Sequence, residues 1–183
     1  MLSAQDVADF FLHPLVEEDG ELMTNLKLQK LLYYAQGYAL AILDRPMFPE
    51  TIEHWTHGPV VPEIYHKYKN YGYSALPPVE IDLNKYKSEE IHILQRVRNE
   101  KGRYTAWALR NKTHKESPWL NTHNNEEMTK ESIEKYFAET LLEPGFNFDL
   151  ERMKKMVDDE FVTIPSEALK NAESFDKFLQ GTC

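Results

Sequence analysis

The sequence predicts a mainly α-helical fold: a compact multi-helix domain with one or two short β elements. Three observations carry this. Apolar residues recur at helical spacing in several segments, most continuously from Leu28 to Ile42. Those segments are bracketed by helix start and stop signals, with Ser3, Thr24, Pro62 and Thr129 before them and Pro14, Asp44-Arg45-Pro46, Gly72 and Gly102 after them. Alternation of period two, the mark of a strand, is clear only at Val79-Glu80-Ile81-Asp82-Leu83.

In chain order, Ser3 with Asp6 three residues on is a capping box, and it opens a short helix carrying Val7, Ala8, Phe10 and Phe11 that ends before Pro14. Glu17-Glu18-Asp19-Gly20-Glu21 is an acidic loop. Thr24 caps the longest helix, where Leu28, Leu31, Leu32, Ala35, Tyr38, Ala39 and Ile42 form one face, with Lys27, Gln29, Lys30 and Gln36 largely on the other side. Ile52-Glu53-His54-Trp55 is too short to assign as a strand. Pro62 suits the first position of a helix running to about Tyr71. Further helices are expected from Ser88 to near Gly102, from Tyr104 to about Arg110, and from Thr129 through Ile133, Tyr136, Phe137 and Leu141 to Glu143-Pro144-Gly145. Beyond these come an amphipathic turn near Leu150, Met153 and Met156, a short strand at Phe161 to Ile164, and a helix from Ser166 with Leu169, Phe175, Phe178 and Leu179.

Composition narrows the function classes. Lys and Arg number 21 against 30 Asp and Glu, a formal net charge of −9. Such a chain repels a phosphate backbone, so direct nucleic-acid binding is not expected. The longest apolar stretch, Leu31 to Leu43, is broken by Gln36 and Gly37 and falls short of the ~20 residues of a membrane span. Cys183 is the one cysteine, so no intrachain disulfide can form. Met1 to Asp6 lacks the basic and apolar regions of a signal peptide, and a cytoplasmic protein is expected.

Chemistry-bearing patterns are sparse. His54 and His57 are three apart, near Glu53 and Glu63, with His66 following. Gly58 and Pro59 interrupt any helix that would align them, and neither HExxH nor CxxC occurs, so they read as ordinary polar histidines and no metal is expected. There is no Gly-x-Ser-x-Gly elbow, no Gly-rich phosphate loop, and Cys183 sits at the chain end. No catalytic residue and no cofactor is assigned, and the chain is expected not to be an enzyme. The run Tyr65-His66-Lys67-Tyr68-Lys69-Asn70-Tyr71-Gly72-Tyr73 stands out. It reads either as half-buried aromatics covering a helix end or as a protein-binding surface, with base stacking disfavoured by charge.

Three ordered blocks carry a resemblance. Thr24-Asn25-Leu26-Lys27-Leu28-Gln29-Lys30-Leu31-Leu32-Tyr33-Tyr34-Ala35-Gln36-Gly37 is followed by Pro46-Met47-Phe48, then by Trp55-Thr56-His57-Gly58-Pro59-Val60-Val61-Pro62 with Tyr65, then by Thr113-His114-Lys115-Glu116-Ser117-Pro118-Trp119. The series resembles the Panacea domain of SocA-like antitoxins, found also in phage-associated proteins, over about residues 3 to 142. The resemblance implies a helical domain at 1–145 and an unassigned C-terminal extension at 146–183, expected to be helical and packed on or beside it. It also implies the antitoxin of a toxin–antitoxin pair, which neutralises a cognate protein toxin from an adjacent gene by direct binding. One branch of the family instead delivers its toxin to an ATP-dependent protease, so a proteolytic adaptor or a phage-encoded regulatory binder is the alternative. The segment Leu150 to Leu179 is the candidate for the second face that an adaptor needs.

Under this resemblance Leu28, Lys30, Leu31, Tyr34, Gly37, Trp55, Gly58, Pro59, His114 and Trp119 are motif residues with structural roles. Leu28, Leu31, Leu32 and Ala35 would pack the spine, Gly37 would admit a close neighbour, and Gly58-Pro59 would fix a turn around which Trp55, His57 and Trp119 meet. Toxin contact is expected from His57, Tyr65, Tyr68, Lys69 and Tyr71.

Overall fold

The structure, a computed structural model, describes residues 1–14 and 22–141. The acidic loop Glu17 to Glu21, the stop at Glu143-Pro144-Gly145, and the whole extension 146–183 with its expected turn, strand, helix and Cys183 lie outside the described residues.

The first helix, α1 (Ala4–Leu12), has the expected capping box, with the Ser3 and Asp6 side chains each bonded to the other's backbone N–H. Its C-terminal carbonyls are taken by buried Arg98, which donates to the carbonyls of His13 (3.2 Å) and Phe10. The second helix, α2 (Asn25–Leu43), is capped by Thr24 Oγ1 and ends at Asp44 in the left-handed conformation, φ 55°. A two-stranded antiparallel hairpin follows, β1 (Glu53–Trp55) and β2 (Gly58–Val60), pairing His54 with Pro59 and Trp55 with Gly58. Pro62 opens α3 (Pro62–Tyr68), which tightens into a 3-10 turn at Lys69–Tyr71 and stops at Gly72. Then come α4 (Ser88–Lys101), α5 (Ala106–Thr113), the single turn α6 (Ser117–Leu120) and α7 (Lys130–Leu141). The mainly α class with one small β element is what the helical periodicity predicts.

At the centre lies α2, with sixteen of its nineteen residues buried. Around it pack α1, α3, α4, α5, α7 and β2. The expectation of a polar side on α2 is therefore corrected: Lys27, Gln29, Lys30 and Gln36 are all buried. A helix enclosed on every side must satisfy its polar groups internally, and Gln29, Lys30 and Gln36 do so by holding the chain around them. Gln36 shows this plainly. Its Oε1 accepts the N–H groups of Met47 (2.9 Å) and Phe48 (3.2 Å), and its Nε2 donates to the Phe48 carbonyl (3.0 Å).

Gly37 faces α7. A Cβ there would sit 2.1 Å from the Phe137 ring, which is wedged among Tyr33, Tyr34, Tyr38 and Tyr136. The expected strand at Val79 to Leu83 is a second correction. The Val79 N–H bonds the Leu12 carbonyl (3.2 Å), Val79 and Ile81 pack on the core, and the chain then enters a 3-10 turn at Leu83–Lys85. No strand lies beside it among the described residues, and a period-two pattern without a hydrogen-bonding neighbour gives an extended strap rather than a sheet. Conversely the unassigned stretch at Ile52 to Trp55 contains a strand, Glu53–Trp55, because the chain turns back and pairs it with β2; segment 125–128 bonds its other edge through His54 N–H to the Glu126 carbonyl (2.9 Å), Asn125 N–H to the His54 carbonyl (2.7 Å) and Met128 N–H to the Ile52 carbonyl (2.8 Å). No helix among the described residues is long and apolar enough to cross a membrane.

Candidate functional site: an aromatic groove beside the hairpin

The hairpin is held by side chains reaching its backbone from distant parts of the sequence. Lys30 Nζ, fully buried, donates to the Pro59 carbonyl (2.7 Å). Trp119 Nε1 donates to the Trp55 carbonyl (3.3 Å). His114 sets its ring nitrogens against the carbonyls of Arg110 (2.7 Å) and Thr56 (3.1 Å). From α2, Gln29 Oε1 accepts the Val61 N–H (2.9 Å), Gln29 Nε2 donates to Asn25 Oδ1 (3.0 Å), and Asn25 Nδ2 donates to the Tyr65 carbonyl (3.1 Å). Gly58 closes the turn at φ +96°, where a Cβ would meet Thr113 Oγ1 at 2.8 Å and Lys30 Cε at 2.9 Å. Burial, reinforced by the neighbouring Arg110 charge, holds the Lys30 amine well below the ordinary lysine range. Burial also lowers the pKa of His114. Both shifts favour uncharged groups packed under the turn.

Deeper in, Tyr34 Oη donates to Glu116 Oε1 (2.8 Å), and burial raises the Glu116 pKa despite its tyrosine and lysine neighbours. Motif residues Leu28, Lys30, Leu31, Tyr34, Gly37, Gly58 and Pro59 are all buried, while Trp55, His114 and Trp119 are half-buried. The expected meeting of Trp55, His57 and Trp119 is corrected. The Trp119 ring lies between His54 (4.2 Å) and His114 (3.9 Å), Trp55 packs on Tyr65 (4.9 Å) and His66 (6.1 Å), and His57 packs on Trp107 (6.0 Å). Trp55 ends β1, His57 sits in the turn and Trp119 comes from α6, so each ring meets a different neighbour. The histidines accordingly do not converge. Among the described residues no group of three His, Cys, Asp or Glu side chains is placed to hold a metal.

On the open side of the hairpin is a groove of about 850 Å³. Its floor is the first turn of α2, with Thr24, Asn25, Leu26 and Gln29. One wall is Trp55, Thr56, His57 and Val60 of the hairpin, another is Tyr65, Lys69, Gly72 and Tyr73 after α3, and the third is Ala106 and Trp107 at the start of α5. Leu22 and Asn125 complete it. Trp107 is 55% exposed and Tyr73 92% exposed, so the groove presents large aromatic surface to solvent and is the candidate binding surface.

Of the five residues expected to touch a partner, His57, Tyr65 and Lys69 line this groove. Tyr71 is exposed but stands outside it. Tyr68 is a correction: it is 5% exposed, belongs to the core, and accepts a hydrogen bond from Gln5 Nε2 (3.2 Å). Four residues after Ile64, it shares the inward face of α3. The reading of the tyrosine run as one surface stripe therefore splits. Trp107 went unnoticed in the sequence. Its signal was there: Leu109, two positions on, is buried, and residues two apart on a helix cannot face the same way.

A comparison with protein families matches the profile described as "Antitoxin SocA-like, Panacea domain" to residues 28–120. That span runs from within α2 through α6 and includes the hairpin, its anchors Gln29, Lys30, His114 and Trp119, and most of the groove. No curated protein and no solved structure matches the chain significantly.

Proposed function

The chain belongs to the SocA-like Panacea-domain antitoxin family, and from that premise we propose that it neutralises a cognate protein toxin by binding it through the groove beside the hairpin. The observation that carries this reading is the exposed aromatic lining: a rigidly held hairpin presents Trp55 and His57 beside an exposed Trp107, on which His57 packs (6.0 Å), around a concavity of about 850 Å³. Aromatic residues around an apolar depression are the usual energetic centre of a protein interface. The hairpin's many side-chain anchors supply the preorganisation that lets such a surface bind with little ordering entropy lost. His57, Tyr65 and Lys69 are the predicted contact residues on this surface, joined by Trp107 and Tyr73. The net charge of −9 favours fast association with a cationic partner.

The test is co-expression with the adjacent open reading frame. The chain should restore growth and co-purify with the neighbour's product. Trp107→Ala should weaken the complex about 30-fold or more, the loss expected of an aromatic anchor worth about 2 kcal/mol, without lowering the melting temperature. A toxic neighbour that is neither rescued nor bound overturns the proposal.

A further inference from the structure

Resting on the reading of the groove as the partner site, we propose that its occupant is an apolar peptide segment of the partner that carries a carboxylate, the apolar side chains lying between Trp55, Tyr65 and Trp107 and the carboxylate meeting Lys69. The chain contains 30 acidic residues, yet among the described residues that line the groove there is none. What the lining does hold is Lys69, exposed and with no carboxylate partner among the described residues, and His57, exposed at the hairpin tip. A further cation flanks one wall: the Arg110 guanidinium lies over Trp107 (5.8 Å). The nearest carboxylate on the hairpin, Glu53, is engaged by the Trp55 indole N–H (2.8 Å). A cationic side chain entering here would meet aromatic faces but also Lys69, with no counter-charge in the lining. A purely aliphatic segment would cover the aromatics and leave Lys69 desolvated and unpaired, which is unfavourable. An apolar segment with a carboxylate satisfies both surfaces, so local charge complementarity selects it although the protein as a whole is acidic.

The test uses the full chain and two synthetic peptides, Asp-Asp-Leu-Phe-Leu-Asp and Lys-Lys-Leu-Phe-Leu-Lys, titrated at low salt with the tryptophan indole N–H resonances as readout. The acidic peptide is expected to shift the Trp55 and Trp107 resonances and leave Trp119, stacked between two histidines, unmoved. It should bind about fivefold tighter than the basic one, the scale of an exposed charge pair. Lys69→Glu should reverse that order, and Trp107→Ala should abolish the shifts with both peptides. Equal or tighter binding of the basic peptide overturns the proposal, as does the absence of any shift at millimolar peptide. A concentration-dependent dimer dissolved by Trp107→Ala would give the groove to a second copy and overturn it too. The two readings fail separately. Growth rescue lost on Trp107→Ala without an acidic preference removes only the charge assignment, whereas an acidic preference with rescue unchanged by Trp107→Ala removes only the groove's role in neutralising the toxin.

Discussion

Replacing Gly37 with alanine sets two effects of opposite sign against each other. Within a helix, alanine is favoured over glycine by about 1 kcal/mol, so on local grounds Gly37→Ala should stabilise α2. The packing argues the reverse. The new Cβ would lie 2.1 and 2.2 Å from two Phe137 ring carbons, where ordinary carbon contacts are about 3.5–4.0 Å. The ring cannot swing aside, since its centroid is 5.4 Å from Tyr33, 5.9 Å from Tyr34, 5.6 Å from Tyr38 and 5.2 Å from Tyr136. Overpacking a filled core costs about 1–3 kcal/mol, and an overlap above 1 Å belongs at the upper end. After subtraction of the helix gain, a net loss of about 2 kcal/mol is expected, or a fall of about 4–8 °C in Tm for a chain of this length. Thermal and urea unfolding followed by circular dichroism reads it. The double variant Gly37→Ala/Phe137→Leu should be no less stable than Phe137→Leu alone, because the smaller side chain leaves room for the methyl. A Tm raised by Gly37→Ala would refute the close approach of α2 and α7.

Two other substitutions probe the buried polar groups. Gln36→Leu removes the acceptor for Met47 and Phe48 N–H and the donor to the Phe48 carbonyl. With about 1–3 kcal/mol for each orphaned buried group, a loss of about 3–5 kcal/mol in urea unfolding is expected, and a loss under 1 kcal/mol would contradict the hook. Glu116→Gln keeps an oxygen for the Tyr34 hydroxyl while removing the buried charge. The folded-state pKa of Glu116 is raised above its ordinary 4.5, so its ionised form opposes folding at neutral pH and protonation relieves this as pH falls through the window between the raised value and 4.5. The variant's stability relative to wild type should thus be greater at pH 7 than below pH 4.5. An unchanged difference between urea midpoints at the two pH values would remove Glu116 from the pH response.

The helices were legible because their signals are local. Ser3 with Asp6, Thr24, Pro62 and the apolar spacing of Leu28 to Ile42 each act within a few residues of the structure they cause. The errors arose where tertiary neighbours decide. Lys27, Gln29, Lys30 and Gln36 look like a solvated face until α2 is surrounded, and only then does each polar group need a buried partner. Val79 to Leu83 has a strand's alternation but no neighbouring strand among the described residues, whereas Glu53–Trp55, too short to read from its pattern, is a strand because β2 folds back on it, with residues 125–128 on its other edge. The groove was half legible. His57, Tyr65 and Lys69 lie close together in the chain and in space, but Trp107 joins them only because α5 packs against α2 and β2.

Among the residues that carry the family resemblance, some hold the hairpin's backbone and others line the groove. Lys30, His114 and Trp119 come from two separate blocks of the sequence and all reach the backbone of a third, at Pro59, Thr56 and Trp55. Their targets are carbonyl groups, which every residue possesses, so these bonds fix the hairpin's position without constraining which side chains it displays. On the proposed role of the groove, discrimination among partners falls on side chains directed outward; of the exposed lining, which also includes Leu22, Thr56 and Asn125, the four that offer a ring or a charge are His57 at the tip, Lys69, Tyr73 and Trp107. On that reading the recognition surface can be exchanged while the frame is kept. Substituting those four residues should therefore change which partner is bound while leaving the unfolding transition nearly where it was, since exposed side chains away from buried contacts contribute within about 0.5 kcal/mol.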